Sequence, residues 1–210
     1  MKELLYIEAS PRKSRSASIE VARAFIDAAE THHPGCKLTV LDLWSAPLPD
    51  LSQDMMEAKY AGIQGLERTA AQRQAWSEIE RLAAPFHAAD HILLAVPLWN
   101  FGIPYRLKQL IDLVTHKDVL FRFDANGMSG MLATPKATVV CARGLDYPLG
   151  DGGSAHAMDF QRPYIETWLR FIGVKQVDTV VVEKTLMGAE VDTASREAAR
   201  HEAVALARAA

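Results

Sequence analysis

His91-Ile92-Leu93-Leu94-Ala95-Val96-Pro97 places five consecutive apolar residues ahead of a proline. A strand with one wet face would alternate apolar and polar positions. A continuous run suits a strand covered on both faces, as in a parallel sheet. Toward the N-terminus, residues from about Gln53 to Ala89 read as helical with a break near Gly62 and Gly65, and Trp76, Ile79, Leu82, Ala83 and Phe86 share one apolar face. Before them Leu38-Thr39-Val40-Leu41 reads as a strand, followed by a surface loop at Pro47 and Pro49. Ile19, Ala22, Ile26 and Ala29 recur at helical spacing, Val21, Phe25 and Ala28 widen the stripe, and Pro34-Gly35 ends it. Leu4-Leu5-Tyr6-Ile7 is the first strand and stops at Ser10-Pro11.

Toward the C-terminus, Pro104 suits the first turn of a helix whose inner face is Leu107, Leu110, Ile111 and Val114. Thr138-Val139-Val140-Cys141 is a fourth strand, followed by a Gly-rich loop through Gly153. Phe160 to Phe171 reads as helix, Val177 to Val182 as a fifth strand, and Thr193 to Ala209 as a closing Ala- and Arg-rich helix. Strands alternating with helices predict a doubly wound parallel α/β sheet with right-handed crossovers and helices on both faces. The segment Lys117–Pro135 departs from the alternation. Val119-Leu120-Phe121-Arg122-Phe123 followed by Asp124-Ala125-Asn126-Gly127 predicts a short extended excursion, and long loops are often functional.

With no repeat, linker or low-complexity tract, residues 1–210 are expected to form a single domain. The 23 Lys and Arg against 26 Asp and Glu give a net charge of −3, which argues against a general nucleic-acid binder. Cys36 and Cys141 form neither a disulfide framework nor a metal ligand set, so a reduced, cytoplasmic setting is expected. No apolar run reaches the roughly 18 residues that a membrane span needs, and the N-terminal apolar stretch is too short for a signal peptide.

Ligands of open α/β sheets bind beyond the carboxyl ends of the strands. After the first strand, Ser10-Pro11-Arg12-Lys13-Ser14-Arg15-Ser16-Ala17-Ser18 gathers four hydroxyls and three cations directly ahead of a helix. The unpaired N–H groups and positive dipole end of a helix start suit a phosphate. A plain N-cap would account for Ser16 or Ser18 and leave the rest of the cluster unexplained. Neither G-x-G-x-x-G nor G-x-x-x-x-G-K-[ST] is present, and Cys141 and Arg143 are too close for a phosphatase loop. A Ser-rich loop points to a monophosphate, with flavin mononucleotide (FMN) the leading case.

After the third strand, Pro97-Leu98-Trp99-Asn100-Phe101 offers a stiff exit, free amides and two aromatics, a surround for a planar ring, although both aromatics could instead be core. After the fourth, Cys141-Ala142-Arg143-Gly144-Leu145-Asp146-Tyr147 offers amides, one permissive Gly and a Tyr hydroxyl. His87, His91, His116 and His156 read as surface or packing residues.

These segments together resemble the FMN-dependent azoreductases, also called FMN-dependent NADH:quinone oxidoreductases, of the flavodoxin-like superfamily. The specific marks are Ser10 with Ser16 and Ser18, and Pro97 to Phe101; supporting marks are Leu107-Lys108-Gln109 with Asp112, Phe121-Arg122-Phe123 with Asn126-Gly127, and Phe171-Ile172-Gly173. The resemblance implies a five-stranded sheet in the order 2-1-3-4-5. It implies that Ser10, Ser16, Ala17 and Ser18 hold the flavin phosphate. Pro97, Leu98, Trp99, Asn100 and Phe101 would lie against the ring, with Cys141, Ala142, Arg143, Gly144 and Tyr147 at its pyrimidine edge. It further implies a homodimer in which Phe121 and its neighbours roof the partner's site, and a substrate pocket of Trp99, Asn100, Phe121, Phe123 and Phe171. Where the family often has Ser-Arg-Gly-Gly and a later His, this chain has Ala142-Arg143-Gly144-Leu145 and Tyr147. Leu145 would narrow the pocket, and Tyr147 can donate one hydrogen bond but cannot bring a positive charge to the flavin.

The function so implied is ping-pong hydride transfer from NADH or NADPH through FMN to quinones and aromatic azo compounds. No dedicated catalytic residue, metal, nucleic acid or membrane is needed, because the cofactor carries the chemistry. Three alternatives stand beside it: a flavodoxin-type one-electron carrier, an NADPH-dependent quinone or FMN reductase with little azo activity, and a nucleotide-sensing or scaffold protein without turnover.

Overall fold

Apolar side chains on both faces of each central strand force the chain to cover a sheet from two sides. The computed structural model describes residues 1–45, 47–125, 127–134, 136–147 and 158–210. Asn126, Pro135, His156 and the Gly-rich stretch within 148–157, all singled out above, lie outside the described residues. In chain order the elements begin with β1 (Glu3–Glu8), α1 (Ala17–His32), β2 (Lys37–Asp42), α2 (Gln53–Gln64), α3 (Ala70–Ala88), β3 (His91–Pro97) and α4 (Tyr105–Val114). A hairpin of β4 (Phe121–Asp124) and β5 (Gly127–Gly130) follows, then β6 (Lys136–Ala142), α5 (Gln161–Ile172), β7 (Gln176–Val182) and α6 (Ala189–Arg208).

The five long strands are parallel, in the order β2-β1-β3-β6-β7. With the hairpin set aside, this is the expected 2-1-3-4-5. Register aligns the carboxyl ends: Glu8 lies beside both Asp42 and Ala95, and Pro97 beside Ala142. Alternate residues sort to opposite faces. Leu5, Ile7, Ile92, Leu94, Val96, Val139 and Cys141 pack with α3, α4 and α5 residues such as Phe86, Leu110 and Leu169. Leu4, Tyr6, Leu93, Ala95, Val140 and Val180 pack instead on α1 and α6. α6 offers only small side chains there, Ala199, Ala203 and Ala207 at four-residue spacing, which lets it lie close to Phe25 and its neighbours on α1.

Helix boundaries follow local chemistry. The break expected near Gly62 and Gly65 falls at Gly65, whose φ of 70° ends α2. Thr69 and Gln72 form a reciprocal capping box that starts α3. α6 begins at Ala189, ahead of the expected Thr193, with Glu190 and Asp192 against the positive end of its dipole. The Lys117–Pro135 excursion contains an antiparallel hairpin that docks backbone to backbone on the end of α5. Leu132 N–H donates to Ile172 O at 3.0 Å, the Phe121 and Phe171 rings lie 5.0 Å apart, and a Cβ on Gly130 would collide with the backbone of Gly173. Among the described residues no helix is long and apolar enough to cross a membrane.

Candidate functional site

Ser16 sits at the N-cap of α1, extended (φ −87°, ψ 120°) and buried, yet its side chain caps nothing. Its hydroxyl lies instead 3.1 Å from that of Ser18. The first intrahelical bond runs from Glu20 N–H to Ser16 O at 3.0 Å, so the amides of Ala17, Ser18 and Ile19 precede it and have no partner within the helix. Ser10, also buried, faces this end and accepts from Arg12 N–H at 3.4 Å. The plain N-cap account of the serines therefore fails: the Ser16 and Ser18 hydroxyls face one another rather than a helix amide.

The three cations of this loop divide. Lys13 pairs with Glu8 at 2.7 Å and Asp42 at 2.6 Å, the two carboxylates that strand register sets side by side. Burial pulls the Lys13 ammonium down, but its bonds to Asp42 and Glu8 outweigh that and hold it above its ordinary value. For Asp42 burial pushes upward and is outweighed by the bonds from Lys13, Ser45 and the Trp44 amide, which hold the carboxyl low. The sequence counts Lys13 among three cations beside the serines expected to hold a phosphate, and the structure corrects this, because its charge is already matched. Arg15 is exposed and lines no part of the site described below, whereas Arg12 does.

A cavity of about 180 Å³ opens at the carboxyl end of the sheet. Ser10, Arg12, Ser16 and Ala17 line it from the first loop, Pro97, Leu98 and Trp99 from the second, and Ala142, Arg143 and Gly144 from the third. Thr185, Leu186 and Arg196 complete it from the β7–α6 loop and α6. The sequence reading did not single these last three out. For Thr185 and Leu186 their place directly after the fifth strand was the available signal; Arg196 had none.

The second loop is a tight reversal. Trp99 and Gly102 exchange both backbone bonds, at 3.1 and 2.9 Å, around Asn100 (φ 44°) and Phe101 (φ 71°). Two successive positive φ angles mark a type I′ turn, which Asn tolerates and a bulky Phe does not. Phe101 is nevertheless 48% exposed, so no core contact explains its presence. Trp99 is half-buried, with its ring 5.8 Å from Trp44. The expected free amides are partly corrected: Leu98 N–H donates to Ala142 O at 2.8 Å and Trp99 N–H to Gly102 O.

In the third loop Arg143 is buried, bonded to Asp159 at 2.7 Å and 3.4 Å from Glu183. Asp159 in turn accepts from the amides of Gln161 and Arg162 at the start of α5. The guanidinium thus braces the loop against α5. Tyr147 is half-buried, with its ring 5.6 Å from that guanidinium. The Cys141 side chain lies in the α3–α5 core rather than in the cavity, and burial pushes its thiol up to about 12. Thr185 donates to Arg143 O from its hydroxyl at 3.2 Å, and Leu186 N–H to Gly144 O at 3.1 Å. A Cβ on Gly144 would meet the Leu186 side chain, so the glycine lets the two loops close together. Leu145 is exposed and does not line the cavity.

Asn100 and Phe101 do not line this cavity, although they follow Trp99, which does; nor does Ser18, which is buried with its hydroxyl on that of Ser16. Phe121, Phe123 and Phe171 stand apart from it. Phe121 and Phe171 meet at the hairpin dock, Phe123 is 60% exposed on the hairpin, and Phe171 lines a separate cavity of about 430 Å³ with Leu51, Ile111, His116, Tyr164 and Trp168. Among the described residues, Trp99 and Phe171 line different cavities, and neither Phe121 nor Phe123 lines the one that holds Trp99. His116 is buried with both ring nitrogens unpartnered among the described residues, and burial lowers it to about 4. His91 packs 5.2 Å from Phe25 and bonds Thr138 at 2.9 Å, also lowered to about 4 by burial.

A family model described as flavodoxin-like fold matches residues 2–207. The chain is 47% identical to the FMN-dependent NADH:quinone oxidoreductase 3 of Pseudomonas fluorescens, over 99% of this chain and 97% of that one. It is 51% identical to oxidoreductase 9 of the same name from Burkholderia lata, over 99% of each. Among solved structures, an azoreductase from Bacillus anthracis superposes with a TM-score of 0.88 at 24% identity, covering both chains completely. An FMN-dependent NADH-azoreductase from the same species, solved in complex with FMN, superposes at 0.83 and 22% identity, over 99% of this chain and all of the other. At those identities the structures speak for the fold.

Proposed function

The chain belongs to the flavodoxin-like family of FMN-dependent NADH:quinone oxidoreductases, and from that premise we propose that it passes electrons from NADH or NADPH to quinones and aromatic azo compounds in a ping-pong cycle. It is an FMN-dependent oxidoreductase. The observation that best supports the site is the uncapped start of α1. A buried N-cap serine with no capping bond, beside two further serines and three amides without a partner in the helix, fits a phosphate that supplies acceptors.

When bound, FMN supplies the two-electron chemistry. The protein supplies the surroundings. Ser10, Ser16, Ser18 and the Ala17–Ile19 amides would hold the phosphate; Pro97, Leu98, Trp99, Asn100 and Phe101 would set the ring plane. The Ala142–Gly144 backbone and Tyr147 would face the pyrimidine edge, with the Cys141 thiol turned away. In this reading residues 1–210 act as one cytoplasmic domain, and two copies pair so that the hairpin of one, through Phe121 and Phe123, covers the cavity of the other. That pairing would bring together the aromatic residues that a single chain keeps apart.

The test is direct. Purified protein should be yellow, bleach with NADH under anaerobic conditions and recolour with menadione, and initial rates at several menadione concentrations should give parallel reciprocal plots. Protein that is colourless, and stays so with added FMN, would sink the reading. Intersecting plots would overturn the ping-pong order alone.

A further inference from the structure

We infer that Arg196, on the last helix, is a specificity-determining residue for the phosphate of the cofactor, and that Glu20 moderates it. This rests on the reading that FMN occupies the cavity described above. The sequence places three cations beside the serines, but neither Lys13, which is turned onto Glu8 and Asp42, nor Arg15 lines the cavity. Arg12, Arg143 and Arg196 are the cations that line it, and Arg143 is buried against Asp159, where it braces the third loop on α5.

Arg196 belongs at the serine end of the cavity. Its Nη1 bonds Glu20 at 2.8 Å, and Glu20 lies one turn inside α1, with its amide on Ser16 O. Its Nε bonds Asp192 at 2.7 Å within α6. Asp192, one turn earlier on the same helix, thus holds the guanidinium in place before any ligand arrives, which lowers the ordering cost of a later contact, while Glu20 competes for its Nη1. A guanidinium carries five N–H donors, so two bonds leave others for the cavity that the side chain lines. Arg12, by contrast, is exposed on a turn and must be ordered.

Glu20 acts in the opposite sense. Its carboxylate occupies the first turn of α1, where the dipole that attracts a phosphate also stabilises an acid. Arg196, and Arg200 at 3.9 Å, offset this charge. Removing the carboxylate should leave Arg196 more fully available to the dianion.

The experiment compares FMN with riboflavin, which has the same ring and no phosphate. Flavin-fluorescence quenching titrations of the full chain freed of flavin would use the wild type, Arg196→Gln, Arg196→Lys and Glu20→Gln. Loss of one charge-assisted bond should raise the FMN Kd of Arg196→Gln about tenfold. Its riboflavin Kd should stay within about twofold, and Arg196→Lys should recover part of the FMN loss because it keeps charge without the fork. Glu20→Gln should tighten FMN about threefold and leave riboflavin unchanged. Equal weakening of FMN and riboflavin in Arg196→Gln would assign Arg196 to α1–α6 packing and overturn the inference. So would an unchanged FMN Kd in that variant, or no FMN tightening in Glu20→Gln. If Arg196→Gln does not fold, Glu20→Gln still decides. Failure of the wild type to bind FMN would instead overturn the cofactor reading itself.

Discussion

Phe101 holds a backbone conformation that a bulky side chain resists, and it does so in the open (φ 71°, 48% exposed). Strain of this kind, about 1–3 kcal/mol, persists where a side chain is wanted for something other than stability. Phe101→Gly should therefore raise the melting temperature of the flavin-free chain, by about 1 kcal/mol of stability, while weakening FMN binding severalfold. Calorimetry and flavin titration of the same variant would check both signs. The buried histidines make a second prediction. His91 and His116 fall to about 4 in the folded chain, against about 6.5 when unfolded. The unfolded state then binds more protons between those values, so stability present above pH 6.5 is lost as pH falls toward 4, by up to roughly 3 kcal/mol per ring. His116→Phe should flatten that acid limb in urea melts and, by removing two unpartnered nitrogens, stabilise the chain at neutral pH by about 1 kcal/mol. An acid limb as steep as the wild type's would refute the assignment.

Among the elements, α5 joins the active end of the sheet to the hairpin. At its start, Asp159 receives two helix amides and the buried Arg143. Asp159→Asn keeps an acceptor for the amides and leaves the guanidinium without its closest charge, so stability should drop by about 3 kcal/mol in denaturant melts. At its end, Gly173 (φ 115°) lets the hairpin approach through Gly130. Gly130→Val should detach the hairpin and lower the melting temperature with little change in FMN affinity, because no hairpin residue lines the cavity of its own chain. Much of this was legible. The central strands announce themselves as continuous apolar runs, and the site loops follow from the rule about strand ends. The exceptions are long-range. Nothing local to Lys13 reveals that register sets Glu8 and Asp42 together beneath it. Nothing in an Ala- and Arg-rich helix marks which arginine reaches Glu20, 176 positions earlier, a contact that α1–α6 packing alone creates.

For the whole molecule, the proposed sharing of the site between two copies would tie activity to assembly. Turnover per chain should fall on dilution below the dimer dissociation constant while bound FMN is retained, and Gly130→Val should shift that midpoint to higher concentration. Sedimentation velocity run beside stopped-flow rates would check it; activity strictly proportional to chain concentration through the dissociation range would exclude a roofing role for the hairpin. The two-faced sheet has one further chemical effect. Quinones are electrophiles that alkylate thiolates, and an enzyme that handles them risks inactivating itself at any cysteine near the acceptor. Cys141 stands next in sequence to a cavity residue, yet the strand's alternation turns its sulfur into the opposite layer, fully buried and protonated. Cys36, the second thiol, sits at the start of β2, at the far end of the sheet, and is also held above its ordinary value by burial. The chain can thus meet a reactive acceptor with no nucleophilic sulfur in reach, and prolonged turnover with an alkylating benzoquinone should leave its intact mass unchanged.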